Sequence, residues 1–247
     1  MAQRTRVHPV RRIEPGARAD RSPGARLTCA VLSASPEEWV GVDLATGAFV
    51  RTRHGSPAPA TADEAAGPVG NPDSSTSWAP LDIAVVPVGE DLDPPDPARP
   101  EAVTLAGDLV PSGRLRRRAA RRLLRRLAAP ELSGGTVLGT RGPSIAYVDL
   151  EMHSPSVVVL STAPRLLECH VRPDGAAACS FTWAGTTQAL PLLDGRLRRA
   201  VLERPQRPLD IPEVAGAVGG RPAFLVVGLT AVRNGHVPKA VLAVLSR

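Results

Sequence analysis

Between residues 135 and 191 short apolar runs alternate with turn signals so regularly that this part of the chain has few folds open to it. Candidate strands fall at 135–139, 144–152, 156–161, 165–172, 177–183 and 187–191, with turns marked by Gly142-Pro143, Ser154-Pro155, Ala163-Pro164 and Pro173-Asp174-Gly175. Proline fixes φ and removes a backbone donor, and glycine supplies positive φ, so each pair closes one strand before the next begins. Parallel strands need a crossover of a dozen residues or more, and no helical segment of that length separates these runs. The spacing predicts antiparallel sheet, meandering or barrel-like, and disfavours a parallel nucleotide-binding sheet.

The flanking segments extend this α+β pattern. RLTCAVLSA, from Arg26, predicts a strand, and Trp39 to Arg53 a hairpin: Val40, Val42 and Leu44 share a face, Ala45-Thr46-Gly47 turns, and Ala48, Val50 and Thr52 return. LDIAVVPVG, from Leu81, predicts another strand. Towards the C-terminus come a short second helix at 193–203, a turn-rich stretch to Gly220, the strand PAFLVVGLTAV, and KAVLAVL, which fits strand or helix. Residues 1–24 carry six arginines among Pro and Gly and are expected to form a disordered basic tail. The expected domain is a single one over 25–247, interrupted by a flexible Pro/Ala/Ser-rich insertion at about 54–79.

The stretch most informative for function is RLRRRAARRLLRRL, Arg114 to Leu127, in which eight of fourteen residues are arginine and none is acidic. At helical spacing its leucines and alanines share one half of the circumference, while Arg114, Arg117, Arg118, Arg121, Arg122 and Arg125 cluster opposite. The helix is predicted to be capped by Ser112 and stopped before Pro130. Like charges four residues apart disfavour it in isolation, so it needs tertiary packing or anionic neighbours.

That charged face has three candidate uses. It is a solvated outer face, or it is neutralised by Glu90, Asp91, Asp93, Asp96 and Glu101 just upstream, or it binds nucleic-acid phosphates or an acidic protein surface, to which guanidinium forks are well matched. The chain carries 29 arginines and one lysine, Lys239, so composition alone places arginine at many cationic positions. Net charge is +6 and the helix supplies eight arginines, which leaves the remainder slightly acidic. Seven aromatic residues offer few stacking platforms for single-stranded bases. A membrane surface ranks last among partners, because the apolar half holds no Trp or Phe to insert.

Catalytic motifs are sparse. Asp149, Glu151 and His153 fall on one face of the candidate strand 144–152, a period-two pattern able to present metal ligands. The Asp149-Leu150-Glu151 triplet resembles the first motif of the proofreading-type exonucleases, which implies carboxylates holding two metal ions. The later His or Tyr four residues before an Asp has no counterpart, since His236 is followed there by Ala240. SGGTVLGTRG, Ser133 to Gly142, has the outer glycine spacing of a phosphate loop but lacks its lysine. Cys169 and His170 are neighbours on a strand and point to opposite faces. Cys29, Cys169 and Cys179 show no C-x-x-C spacing, which predicts reduced, buried thiols.

These readings predict a cytoplasmic, β-rich protein without an evident cofactor. The expected function is non-enzymatic binding or scaffolding of an acidic partner, protein or nucleic acid, by the six arginines. The alternative is a metal-dependent hydrolase or nuclease using Asp149, Glu151 and His153.

Overall fold

A computed structural model describes residues 18–35, 38–53, 78–91, 96–130, 135–151 and 155–246. Its first sheet is built from β1 (Arg26–Ala34), β2 (Glu38–Asp43), β3 (Phe49–Arg53), β4 (Asp82–Pro87), β5 (Ala102–Val103) and β6 (Val110–Arg114), in the order β5-β3-β2-β1-β4-β6. All neighbours are antiparallel except β3 and β5. Val88, just past β4, bridges Leu105, just past β5, so the sheet curls back on itself. The curl encloses Leu27, Cys29, Val31, Trp39, Val50, Ala84, Val86 and Val103. Inside it the Trp39 indole lies over Gly41, where a Cβ would sit 2.2 Å from the ring. The hairpin forms as its sequence predicts: Gly47 takes φ 79°, and the Asp43 carboxylate accepts from the backbone of Ala45 and Thr46 and from the Thr46 hydroxyl.

The helix α1 (Arg117–Leu127) follows β6, and the chain then enters β7 (Ser144–Ala146), β8 (Val157–Ser161), β9 (Leu167–Val171), β10 (Ala177–Trp183) and β11 (Thr186–Pro191). Helices α2 (Gly195–Leu202) and α3 (Ile211–Val218) precede β12 (Pro222–Leu229) and β13 (His236–Ser246). Strands β7-β13-β12-β8 form a second sheet and β11-β10-β9 a third, both antiparallel. The architecture is thus predominantly antiparallel β with helices, as the turn spacing requires.

Packing explains the continuous apolar run of β12, which is buried at every position. One face of the second sheet, through Val159, Val226 and Leu242, meets Ala30, Leu32, Val40 and Val42 of the first sheet and Ala120, Leu123 and Leu124 of α1. Its other face, through Leu160, Leu225, Val227 and Val241, meets the third sheet with Leu197, Val201 and Val214 of the two later helices. A strand with core on both sides has no polar face to alternate.

A buried polar chain joins the first two sheets. The Arg51 guanidinium, 1% exposed, donates to Glu38 at 2.9 and 2.5 Å, to Ser156 Oγ at 2.8 Å and to the Leu229 carbonyl at 2.7 Å. Glu101 in turn accepts from the backbone and hydroxyl of Ser156. Removing one partner from such a set leaves a buried charge uncompensated.

Several sequence expectations are corrected. Residues 135–139 form a turn with positive φ at Gly135, Leu138 and Gly139, in place of a strand. The turn-rich stretch before Gly220 contains a third helix, α3, where one short second helix is expected from the sequence; the KAVLAVL segment is strand, within β13. At the end of the expected tail, Ala19 packs into the core of the curled sheet and Gly24 N–H bonds the Val88 carbonyl at 2.9 Å. Residues 1–17 and 54–77 lie outside the described residues, and with them most of the expected tail and insertion.

Candidate partner-binding surface on the arginine helix

The basic segment splits between two elements. Val110 to Arg114 pair with β4 as the edge strand β6, and Leu115 N–H continues that pairing to the Leu81 carbonyl at 2.9 Å. Helix α1 therefore starts at Arg117, with Arg116 as N-cap and no side-chain cap, and the expected Ser112 cap is absent. A helix N-terminus favours negative charge, and four arginines from 114 to 118 offer none; strand pairing takes the first of them instead. Arg114 sits on β6, 3.4 Å from Asp82, so the six-arginine helical face expected from the sequence is corrected to five. At the other end Arg125 and Arg126 lie in the last turn, where the dipole favours cations. Ala129 N–H then bonds the Val159 carbonyl at 2.8 Å on the open edge of β8. The helix is clamped to one sheet at each end.

Within the helix Ala120, Leu123 and Leu124 are buried and Leu127 is half-buried, against a core that also holds Leu115 from the preceding turn; Ala119, expected on the apolar half, is exposed. Arg116, Arg117, Arg118, Arg121, Arg122, Arg125 and Arg126 are exposed. Arg117 and Arg126 have contacts of their own within the chain. Among the described residues, no ion pair engages Arg118, Arg121, Arg122 or Arg125.

Three of the upstream acidic residues have partners away from α1. Glu101 is held by Ser156, Asp96 accepts from Ala98 N–H and the Tyr147 hydroxyl, and Asp91 accepts from Thr104. Asp93 lies outside the described residues.

The carboxylate–histidine pattern is not assembled on a strand. Strand β7 ends at Ala146, and Tyr147–Asp149 form a 3-10 turn that leaves Val148 89% exposed instead of facing inward. The partner strand ends the pairing here: β13 begins at His236, opposite Ala146, and only one further backbone bond follows, from Tyr147 N–H to the Gly235 carbonyl at 2.9 Å. Asp149 and Glu151 are exposed, and His153 lies outside the described residues. Among the described residues no three His, Cys, Asp or Glu side chains gather to hold a metal ion.

Cys169 and Cys179 are directly opposed across β9 and β10 and fully buried; the Cys169 thiol and burial push the Cys179 thiol up from its ordinary range. His170 faces the other way, its Nδ1 3.5 Å from Glu168. Lys239, whose neighbours in sequence suggest no activated amine, is set by the fold in a polar cage. Its ammonium is fully buried and donates to the Thr140 carbonyl and hydroxyl and the Gly142 carbonyl at 2.6–2.8 Å, and burial lowers its pKa to about 8. Being the chain's one lysine was the available signal. A shallow groove of about 650 Å³ runs beside Glu168, Ser180, Thr182 and Ile211 on the third sheet.

Among the described residues no helix is long and apolar enough to cross a membrane. Comparison with protein-family models, with curated proteins and with solved structures finds no match to this chain.

Proposed function

We propose that this protein is a binding or scaffolding module that presents the α1 arginines to an acidic macromolecular partner. The observation that carries this reading is the exposure of Arg118, Arg121, Arg122 and Arg125 without an ion pair among the described residues, on a helix clamped at both ends. A backbone held at both ends needs no further ordering on binding, so the ordering cost is confined to the arginine side chains, and bidentate contacts to carboxylate or phosphate offset it. The leucine face is consumed by the core, so it cannot also enter a bilayer.

Retention on phosphocellulose tests the proposal. The wild-type chain is expected to elute at markedly higher salt than the fourfold variant Arg118→Glu, Arg121→Glu, Arg122→Glu, Arg125→Glu, with unchanged far-UV circular dichroism. Coincident elution of the two folded proteins contradicts it.

A further inference from the structure

We propose that Cys169 and Cys179 are a modification site, which a low-molecular-weight disulfide oxidises to a cross-strand disulfide joining β9 to β10. The two residues lie directly opposite each other in antiparallel register. Opposed residues alternate between pairs that exchange backbone hydrogen bonds and pairs that do not, and the second kind stand closer together. Two bonds show which kind this is. The Cys169 carbonyl accepts from Leu209 N–H at 2.9 Å, on the side of β9 away from β10. The Ala177 carbonyl, two residues before Cys179 and so aimed the same way, accepts from Leu192 N–H at 3.0 Å on the β11 side. Cys169 and Cys179 therefore bond outward and not to each other. Such a pair has its Cα atoms about 4.5 Å apart, within the span of about 4.4–6.8 Å that a disulfide bridges.

Both side chains enter the same core, between the second and third sheets, and the Cys169 thiol is the first cause of the upward shift of Cys179, so each sulfur is within the other's reach. Cys29 belongs to the separate core of the curled sheet. Among the described residues, the outer edge of β9 is covered by a single bridge to Leu209, at the end of the exposed stretch 202–208. Local opening of that stretch reaches Cys169 before Cys179, which lies on the middle strand. Cys169, having lost its proton, attacks one sulfur of the small disulfide, breaks its S–S bond and releases one thiol. Cys179, likewise deprotonated, attacks the Cys169 sulfur of the mixed disulfide and expels the second thiol. The released thiolates take up the two protons, so the cysteine pair loses two electrons and the small disulfide gains them. The structure holds the reduced end of this exchange, with all three thiols free.

The thiol–disulfide equilibrium of the full chain in a buffer of reduced and oxidised glutathione tests this. It is approached by refolding the reduced protein, so that burial does not bar the oxidant, and is measured again in concentrated urea. After alkylation and tryptic cleavage, the peptide Leu166–Arg196 carries both cysteines, because Arg172 precedes a proline, and Leu27–Arg51 carries Cys29. In the folded protein Leu166–Arg196 is expected two hydrogens lighter and unalkylated, and Leu27–Arg51 alkylated. A disulfide that fits the fold stabilises it, and by linkage the fold favours the disulfide by the same factor. The equilibrium constant for closing the pair is accordingly expected to be on the order of a hundredfold larger in the folded protein than in urea. A constant no larger in the folded protein than in urea overturns the proposal. So does a folded product whose main disulfide contains Cys29 or glutathione.

Discussion

Lys239 shows at a single residue how composition and packing interact. Twenty-nine cationic positions hold arginine, yet this one keeps an ammonium. A compact group with three donors fits the Thr140 and Gly142 oxygens, and a planar guanidinium on a longer reach does not share that geometry. Burial lowers the folded pKa from 10.5 to about 8, so the folded state binds fewer protons than the unfolded state between those values. Below pH 8 the full cost of keeping the buried charge is present, and it is relieved as pH rises towards 10.5. The stability difference, wild type minus Lys239→Met, is therefore expected to rise between pH 8 and 10.5 in chemical denaturation. A flat or falling difference contradicts it. The buried thiols of Cys29 and Cys179, pushed up, act in the opposite sense but are common to both proteins and cancel. Little of this was legible beforehand. Lys239 stands out by rarity, but its three acceptors lie 97 to 99 residues away, and the Arg51–Ser156 contact spans 105.

The elements divide by whether their cause is local. The β2–β3 hairpin is readable because its turn, two-faced alternation and glycine lie within fifteen residues, Trp39 to Arg53. Helix α3 was readable in principle: Asp210 and Glu213 form a capping box and Gly219 takes φ 72°, yet Pro212 and the glycines read as turns. The end of β7 had no local signal, since it depends on where β13 begins. Helix α1 combines both cases, its apolar stripe set by sequence and its start by pairing with β4. Its stability is predicted to lie in that stripe. Leu124→Ala, at a fully buried position, is expected to cost about 2–5 kcal/mol in urea denaturation. Replacing the exposed Arg118 and Arg122 by Gln removes a like-charge pair and should change stability by no more than about 0.5 kcal/mol. A large loss from the arginine pair would show that the ridge is structural, not a surface held ready for a partner.

At the scale of the molecule, the curled sheet, the central sheet and the third sheet stack with the helices around two shared cores, and α1 closes one of these cores along its outer side. This arrangement fixes where the charge sits. The leucines must face inward to complete the core, and the arginines are turned outward by the same rotation. Local reading of the sequence reached the antiparallel architecture, because turn spacing carries it. Exposure of the ridge was beyond it, because the acidic segment at 90–101 could be placed only once Glu101 and Asp96 were seen to serve the β8 and β7 regions. Arginine labelling of the native protein with phenylglyoxal, read by mass spectrometry, measures that exposure directly. Arg118, Arg121, Arg122 and Arg125 are expected to react rapidly and Arg51 to be protected until the chain unfolds. Protection of the four α1 arginines to the level of Arg51 would contradict an uncovered cationic ridge.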